Sequence, residues 1–357
     1  MEIQKAGDNS QQYQIQQVTI NNGIDEKRAR DIYNEQYLIA KRDFTEEAER
    51  IAYKRVAELE SRFMSKINSL SNGLQSFADP NFQYLLIDAQ KAAASTDREV
   101  DYDILSELLV HRAIKKDDRR IKVGIRGAIR IVGDVTDDAL LGLTIVNAIK
   151  SFAPTSPDCS TALDILDRFY GELLYAELPR NDKWIEELDI LNAIRISGDY
   201  KFKSLKDFYS ISLDGIVVVG IKKDSEEYHE ALKILNENKI SNFLVDNSLL
   251  PGYVRINIGN LEALNSIYMN DFILLEMSEE QKDAIRYVFK LYLKDMDLID
   301  KVKNNFMLEW SKRPNLLLLK DWFEKISTFF KITLIGEELA YANAKSYCSE
   351  IPPIREE

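Results

Sequence analysis

The sequence predicts a mainly α protein of the α+β class, on three observations. Long runs carry apolar residues at steps of three and four and open on capping residues. One stretch, roughly 205–270, instead carries β-branched runs and alternation. The opening is different again: GDNSQQYQIQQVTI is dense in Gln, and no Asp, Glu, Lys or Arg occurs from Asn9 to Ile24. A chain of 357 residues suggests two or three domains. The expected division is a β-prone self-association segment at 1–23, a helical arm at 24–75, a helical domain at 79–200, a small α/β unit at 205–270 and a C-terminal helical region at 278–348.

In the opening segment, Tyr13 and Ile15 share one face of an extended strand, and Val18 and Ile20 share the other. A lone short strand does not offset its own ordering entropy, so it needs a partner. Absent charge and amide ladders suit pairing with identical copies. A strand docked on its own chain and a disordered polar tail are the alternatives.

Asp25 can cap a helix over GIDEKRARDIYNEQYLIAKR, and Thr45 one over TEEAERIAYKRVAELESRFMSKINSL. Ala52, Val56, Leu59, Phe63, Ile67 and Leu70 follow each other at steps of 4, 3, 4, 4 and 3, nearly a heptad stripe. A narrow apolar stripe on a charged helix suits packing against a second copy. Ala52, Val56, Leu59, Phe63 and Ile67 are therefore self-association candidates beside Tyr13, Ile15, Val18 and Ile20.

Asp79-Pro80 starts the next helix, with Asp as cap and Pro in the first turn. Helices are expected over about 80–95, 101–115, 117–132, 137–152, 158–177 and 182–196, with APTSP as the clearest linker. DFYSISLDGIVVVGIKK reads as strands broken at Asp214-Gly215, SEEYHEALKILNEN as a helix, and ISNFLVDN and GYVRINIG as strands. From Ser278 a long helix is expected through MLEW, then a helix after Pro314. KITLIGEELAYANAK reads as a strand, a turn at Gly336 and a closing helix.

One basic island stands out, HRAIKKDDRRIKVGIRGAIR, His111 to Arg130. On a helix from Asp118, Arg119, Lys122, Arg126 and Arg130 form one stripe. Ile121, Ile125, Ala128, Ile129 and Val132 form the buried one. Gly124 and Gly127 fall on a third side, where a neighbouring backbone could approach. The cations either pair with Asp97, Glu99, Asp101, Asp103 and Glu107 or hold phosphate groups of a nucleic acid, nucleotide or lipid. No aromatic interleaves the stripe.

The formal net charge of −12 argues against non-specific nucleic-acid binding by the whole surface. No apolar run approaches membrane-span length, and MEIQKAGDNS lacks the apolar core of a signal peptide. Cys159 and Cys348 fit a reducing compartment, so a cytoplasmic protein is expected. His111 and His229 do not recur with them at zinc-ligand spacing, and no metal or cofactor is expected. No Walker lysine motif and no G-x-G-x-x-G occurs. Asp214, Asp224 and Asp246 are either a carboxylate cluster or turn residues and caps.

GDNSQQYQIQQVTINNGIDEKRARDIYNE resembles the start of an uncharacterised bacterial family in which a Gly-Asp-Asn-Ser and Gln-rich strand precedes a helical body. ITLIGEELAYANAK is similar to the ending of several bacterial helical proteins, some of them abortive-infection proteins. The opening also resembles amyloid-signalling motifs of immunity proteins, although Gln17 stands where those carry Gly. What these resemblances imply is a component of anti-phage defence; they transfer no catalytic residue. The expected function is a non-enzymatic, self-assembling cytoplasmic interaction protein, a homo-oligomer with a protein partner. The alternative is a binding module for nucleic acid or nucleotide on the 119–130 stripe.

Overall fold

A computed structural model of the chain describes residues 24–40, 45–115, 118–198, 200–265, 267–269, 273–275, 277–348 and 351. Tyr13, Ile15, Val18 and Ile20 lie outside the described residues. The mainly α architecture is as the sequence predicts, and capping residues place most helix starts.

The first helices are α1 (Glu26–Ala40), α2 (Glu46–Ile67), α3 (Pro80–Ser95), α4 (Glu99–Ile114), α5 (Arg119–Ile131), α6 (Asp137–Ser151) and α7 (Cys159–Leu173). Thr45, Asp79, Asp118, Thr136 and Asp158 precede five of them, and each side chain accepts a first-turn N–H. Such a cap satisfies a donor that has no partner within the helix.

The stripe on α2 is corrected. Ala52, Val56, Leu59, Phe63 and Ile67 are buried in the chain's own core against α3 and α4, so they do not face a second copy. Leu59, Phe63 and Ile67 are 0% exposed. Phe63 packs on Phe77 and Phe82 at ring-centroid distances of 6.0 and 6.2 Å. The polar flank of α2 is also anchored: Arg62 reaches Asp103 at 2.6 Å, Lys66 reaches Glu107 at 2.8 Å, and Arg55 donates to the Ala94 carbonyl at 3.0 Å. The narrow stripe thus belongs to a helix fitted between two neighbours, and α1 and α2 are part of the body.

Beyond α8 (Lys183–Ile190), the helix expected to run to 196 stops. Asn192 takes a left-handed φ of 62°, which ends the helix. Ile194–Ile196 then forms strand β1. Another correction follows at α9 (Leu205–Ser212), where strands were expected. Ser204 accepts from the Asp207 N–H, and Leu205 and Tyr209, one turn apart, are buried. Tertiary burial of that face overrides the β preference of its aromatic residues.

The α/β unit has β2 (Ile221–Lys222), α10 (Glu226–Glu237), β3 (Leu244–Asp246) and β4 (Tyr253–Ile256). Its sheet is antiparallel in the order β2-β4-β3, with Ile221 opposite Val254 and Leu244 opposite Ile256. β5 (Ile267–Met269) and β6 (Ile273–Leu275) make a separate antiparallel pair. The long helix expected after Ser278 is two helices, α11 (Glu279–Lys290) and α12 (Met296–Trp310); Asp295 caps the second. Then come α13 (Pro314–Phe323), β7 (Phe330–Ile332) and α14 (Leu334–Tyr347). β7 pairs antiparallel with β1, Ile194 opposite Ile332. Gly336 is not a turn residue. It lies in the first turn of α14, where a Cβ would collide with the Ala193 carbonyl.

Among the described residues the apolar core falls into two clusters. One joins α1–α9 with α12–α14; the other fills the α/β unit and takes in Ala284, Ile285 and Val288 of α11. Arg255, 2% exposed, bridges them by donating to the carbonyls of Gly215, Ile256 and Pro157.

Candidate anion-binding groove

α5 has three faces with separate uses. Its inner face seats Ile125, Ala128 and Ile129 at 0% exposure. On its third side α14 approaches closely. A Cβ on Gly124 would stand 2.6 Å from the Leu334 carbonyl oxygen, and one on Gly127 would stand 2.5 Å from the Ile335 side chain. The close approach expected at the two glycines is therefore present, by backbone at Gly124 and by side chain at Gly127. Nearby, buried His111 of α4 contacts Glu338 of α14, Nδ1 to Oε2, at 2.7 Å. This pair ties the closing helix to the bundle.

The outer face carries Arg119, Lys122, Arg126 and Arg130, which line one groove of about 610 Å³. Asn81 and Leu85 of α3, Arg112 of α4 and Ile335 of α14 complete its lining, with Val123 and Gly127 between the cations. Arg112 is 3% exposed and donates to Asp79 at 2.9 Å, which fastens one end of the groove. At the other end Arg130 approaches Asp88 at 3.6 Å, too long for a good hydrogen bond. Between these ends, Arg119, Lys122 and Arg126 have no side-chain ion-pair partner among the described residues.

Four of the five expected acidic partners are engaged elsewhere. Glu99 and Asp103 approach Arg62 of α2, Glu107 approaches Lys66, and Asp101 is held by Arg98 at 2.7 Å. Burial raises the Asp101 carboxyl above its usual range, although Arg98 and Thr96 pull the other way. α4 directs these acids toward α2 and the α3–α4 connection. The ion-pairing alternative is thus corrected for this set of acids.

The three other aspartates hold local turns. Asp214 accepts from the Leu261 N–H, Asp224 occupies a left-handed turn position with φ 63°, and Asp246 pairs with Lys223 at 2.7 Å. No group of three or more His, Cys, Asp or Glu among the described residues could hold a metal ion. Cys159 is buried, which pushes its thiol up to about 11. At neutral pH it is therefore not a thiolate nucleophile. A second cavity of about 460 Å³ lies beside Trp184 and Trp322, with Arg180, Lys325, Asp182 and Asp321 on its lining. Its charges are of both signs, and no sequence signal pointed to it. Sequence reasoning also missed Asn81, Leu85 and Ile335, since they join the groove from α3 and α14 and not from α5 itself.

No described helix is long and apolar enough to cross a membrane. No curated protein and no solved structure matches the chain. A family model whose description reads ":-like" matches residues 23–352. That match runs from three residues before α1 to past the end of α14, and the chain belongs to this family.

Proposed function

We propose that the protein is a non-enzymatic binding module that holds a phosphate-bearing ligand, nucleic acid or nucleotide, along the outer face of α5. The observation that carries this reading is the row Arg119, Lys122 and Arg126, free of side-chain ion pairs among the described residues and lining a groove that the Arg112–Asp79 pair fastens at one end. A guanidinium presents a planar fork of donors that matches phosphate oxygens, and such charge-assisted bonds are the stronger ones. The chain's net charge of −12 repels a polyanion overall, so binding depends on this local row and weakens with salt. The test is titration with inorganic pyrophosphate and with a short oligonucleotide at low and moderate salt. Wild type should bind at least one of them in a salt-sensitive way. Arg119→Glu, Arg126→Glu and Arg130→Glu together should abolish binding with little change in melting temperature. Absence of any salt-sensitive binding by wild type sinks the reading.

A second reading rests on the charge-free run from Asn9 to Ile24. In it the protein is a cytoplasmic bacterial factor, a homo-oligomer assembled through Tyr13, Ile15, Val18 and Ile20, in the anti-phage setting that the resemblances imply. Light scattering tests it: removal of residues 1–23 should lower the oligomer mass, and an unchanged mass rejects it.

A further inference from the structure

We propose that the ligand of the α5 groove is a single-stranded nucleic acid whose backbone follows the cation row and one of whose bases stacks on Tyr84. The inference rests on the anion-site reading and narrows it. A compact ligand such as pyrophosphate is best held by donors converging on one point. Here the donors are strung out: Arg119 to Arg130 spans about 16 Å of helix at 1.5 Å rise per residue. A single row of that kind serves one strand of phosphates.

The second observation comes from the opposite wall. Tyr84 on α3 is 68% exposed, high for a large aromatic side chain. Asn81, three residues before it, lines the groove, and Asp88, four residues after it, meets Arg130 across the groove. Residues at these spacings share one side of a helix, so Tyr84 stands at the outer edge of the wall facing the cations. Arg112, in the last turn of α4, meets Asp79 at the start of α3, and Arg130, in the last turn of α5, approaches Asp88 two turns and more further along α3. Tyr84 therefore falls between these two contacts along α3. The missing aromatic of the basic island is supplied by another helix. A ring beside a cationic track is how single strands are held without reading sequence, and a base must be unstacked from its duplex to use it.

The test is fluorescence anisotropy with a labelled short oligothymidylate, stepped through salt. Three phosphate contacts predict a slope of log affinity against log salt of about −2 for a single strand. Tyr84→Ala should weaken binding on the order of tenfold, while Tyr84→Phe should keep it. Arg126→Glu should lower affinity more and flatten the salt slope. Equal affinity of Tyr84→Ala and wild type overturns the stacking inference and leaves the anion site standing. So does a duplex of the same length that binds as well as the single strand, or polyglutamate that displaces the strand as well as unlabelled oligothymidylate does. Binding of pyrophosphate without binding of oligothymidylate overturns the inference alone. Binding of neither overturns both it and the anion-site reading.

Discussion

α2 and α5 look alike in sequence: each combines an apolar stripe with a row of cations. The structure uses them differently. Three cations along α2 are tied down, Arg55 to a carbonyl, Arg62 to Asp103 and Lys66 to Glu107. Those of α5 from Arg119 to Arg126 have no ion-pair partner among the described residues, and its outermost pair, Arg130 with Asp88, is loose at 3.6 Å. The pattern within either helix does not make this difference. The neighbours do, since α4 presents Glu99, Asp103 and Glu107 to α2 and leaves α5 none of them. A stripe of charge is a candidate site only when the helices packed beside it withhold the opposite charge.

The largest expected effect lies on α2. Leu59 and Phe63 are 0% exposed within the chain's own core. Each Asp placed there would bury an unpaired carboxylate, which costs several kcal/mol even after relaxation. Two such penalties approach the whole 5–15 kcal/mol or so of a typical native stability. Leu59→Asp with Phe63→Asp should therefore abolish cooperative thermal unfolding followed by circular dichroism. Retention of the fold with a lower oligomer mass would restore the seam between copies that the stripe suggested.

A smaller effect is expected at the packed side of α5. Gly124→Ala puts a methyl group 2.6 Å from the Leu334 carbonyl oxygen, a backbone atom that cannot swing away. Overpacking of this kind costs about 1–3 kcal/mol, read from the denaturant midpoint. Gly133→Ala is the control. Its Cβ would meet nothing closer than Ser95 Oγ at 4.0 Å, so stability should hold or rise slightly. If the two variants behave alike, α14 is not seated on α5 as described, and the groove loses Ile335 as a wall.

These positions also show what could be read in advance. Caps were legible at Thr45 and Asp79, because each acts within its own first turn. The glycine face of α5 was legible because helix geometry alone separates it from the buried and cationic faces. Segments whose structure depends on distant partners were not. Ile194–Ile196 is a strand because β7 lies beside it, and Gly336 is small because Ala193 approaches it. The groove was half legible. The cation row is local in sequence, but Asn81, Leu85 and Ile335 reach it only through packing. The acids nearest in sequence pointed to the wrong partners for the same reason.

The smallest stability effects discriminate the two helices most directly. Arg62 donates to Asp103 at 2.6 Å and to the Glu99 carbonyl at 3.0 Å, and its guanidinium lies 5.6 Å from the centre of the Tyr102 ring. Its side chain is 24% exposed, so solvent screens part of each interaction. Arg62→Ala should then cost about 1 kcal/mol, the upper end for a partly exposed ion pair, and less at high salt. Arg126 has no such contact among the described residues, and Ala suits a helix at least as well as Arg. Arg126→Ala should stay within about 0.5 kcal/mol of wild type, as surface substitutions generally do. Phosphate-ligand affinity should reverse the order, falling in Arg126→Ala and holding in Arg62→Ala. Paired urea melts and ligand titrations of both variants give the four numbers required. A stability loss in Arg126→Ala equal to that of Arg62→Ala would mean that Arg126 has an intramolecular partner, and the cation row would then be structural like that of α2.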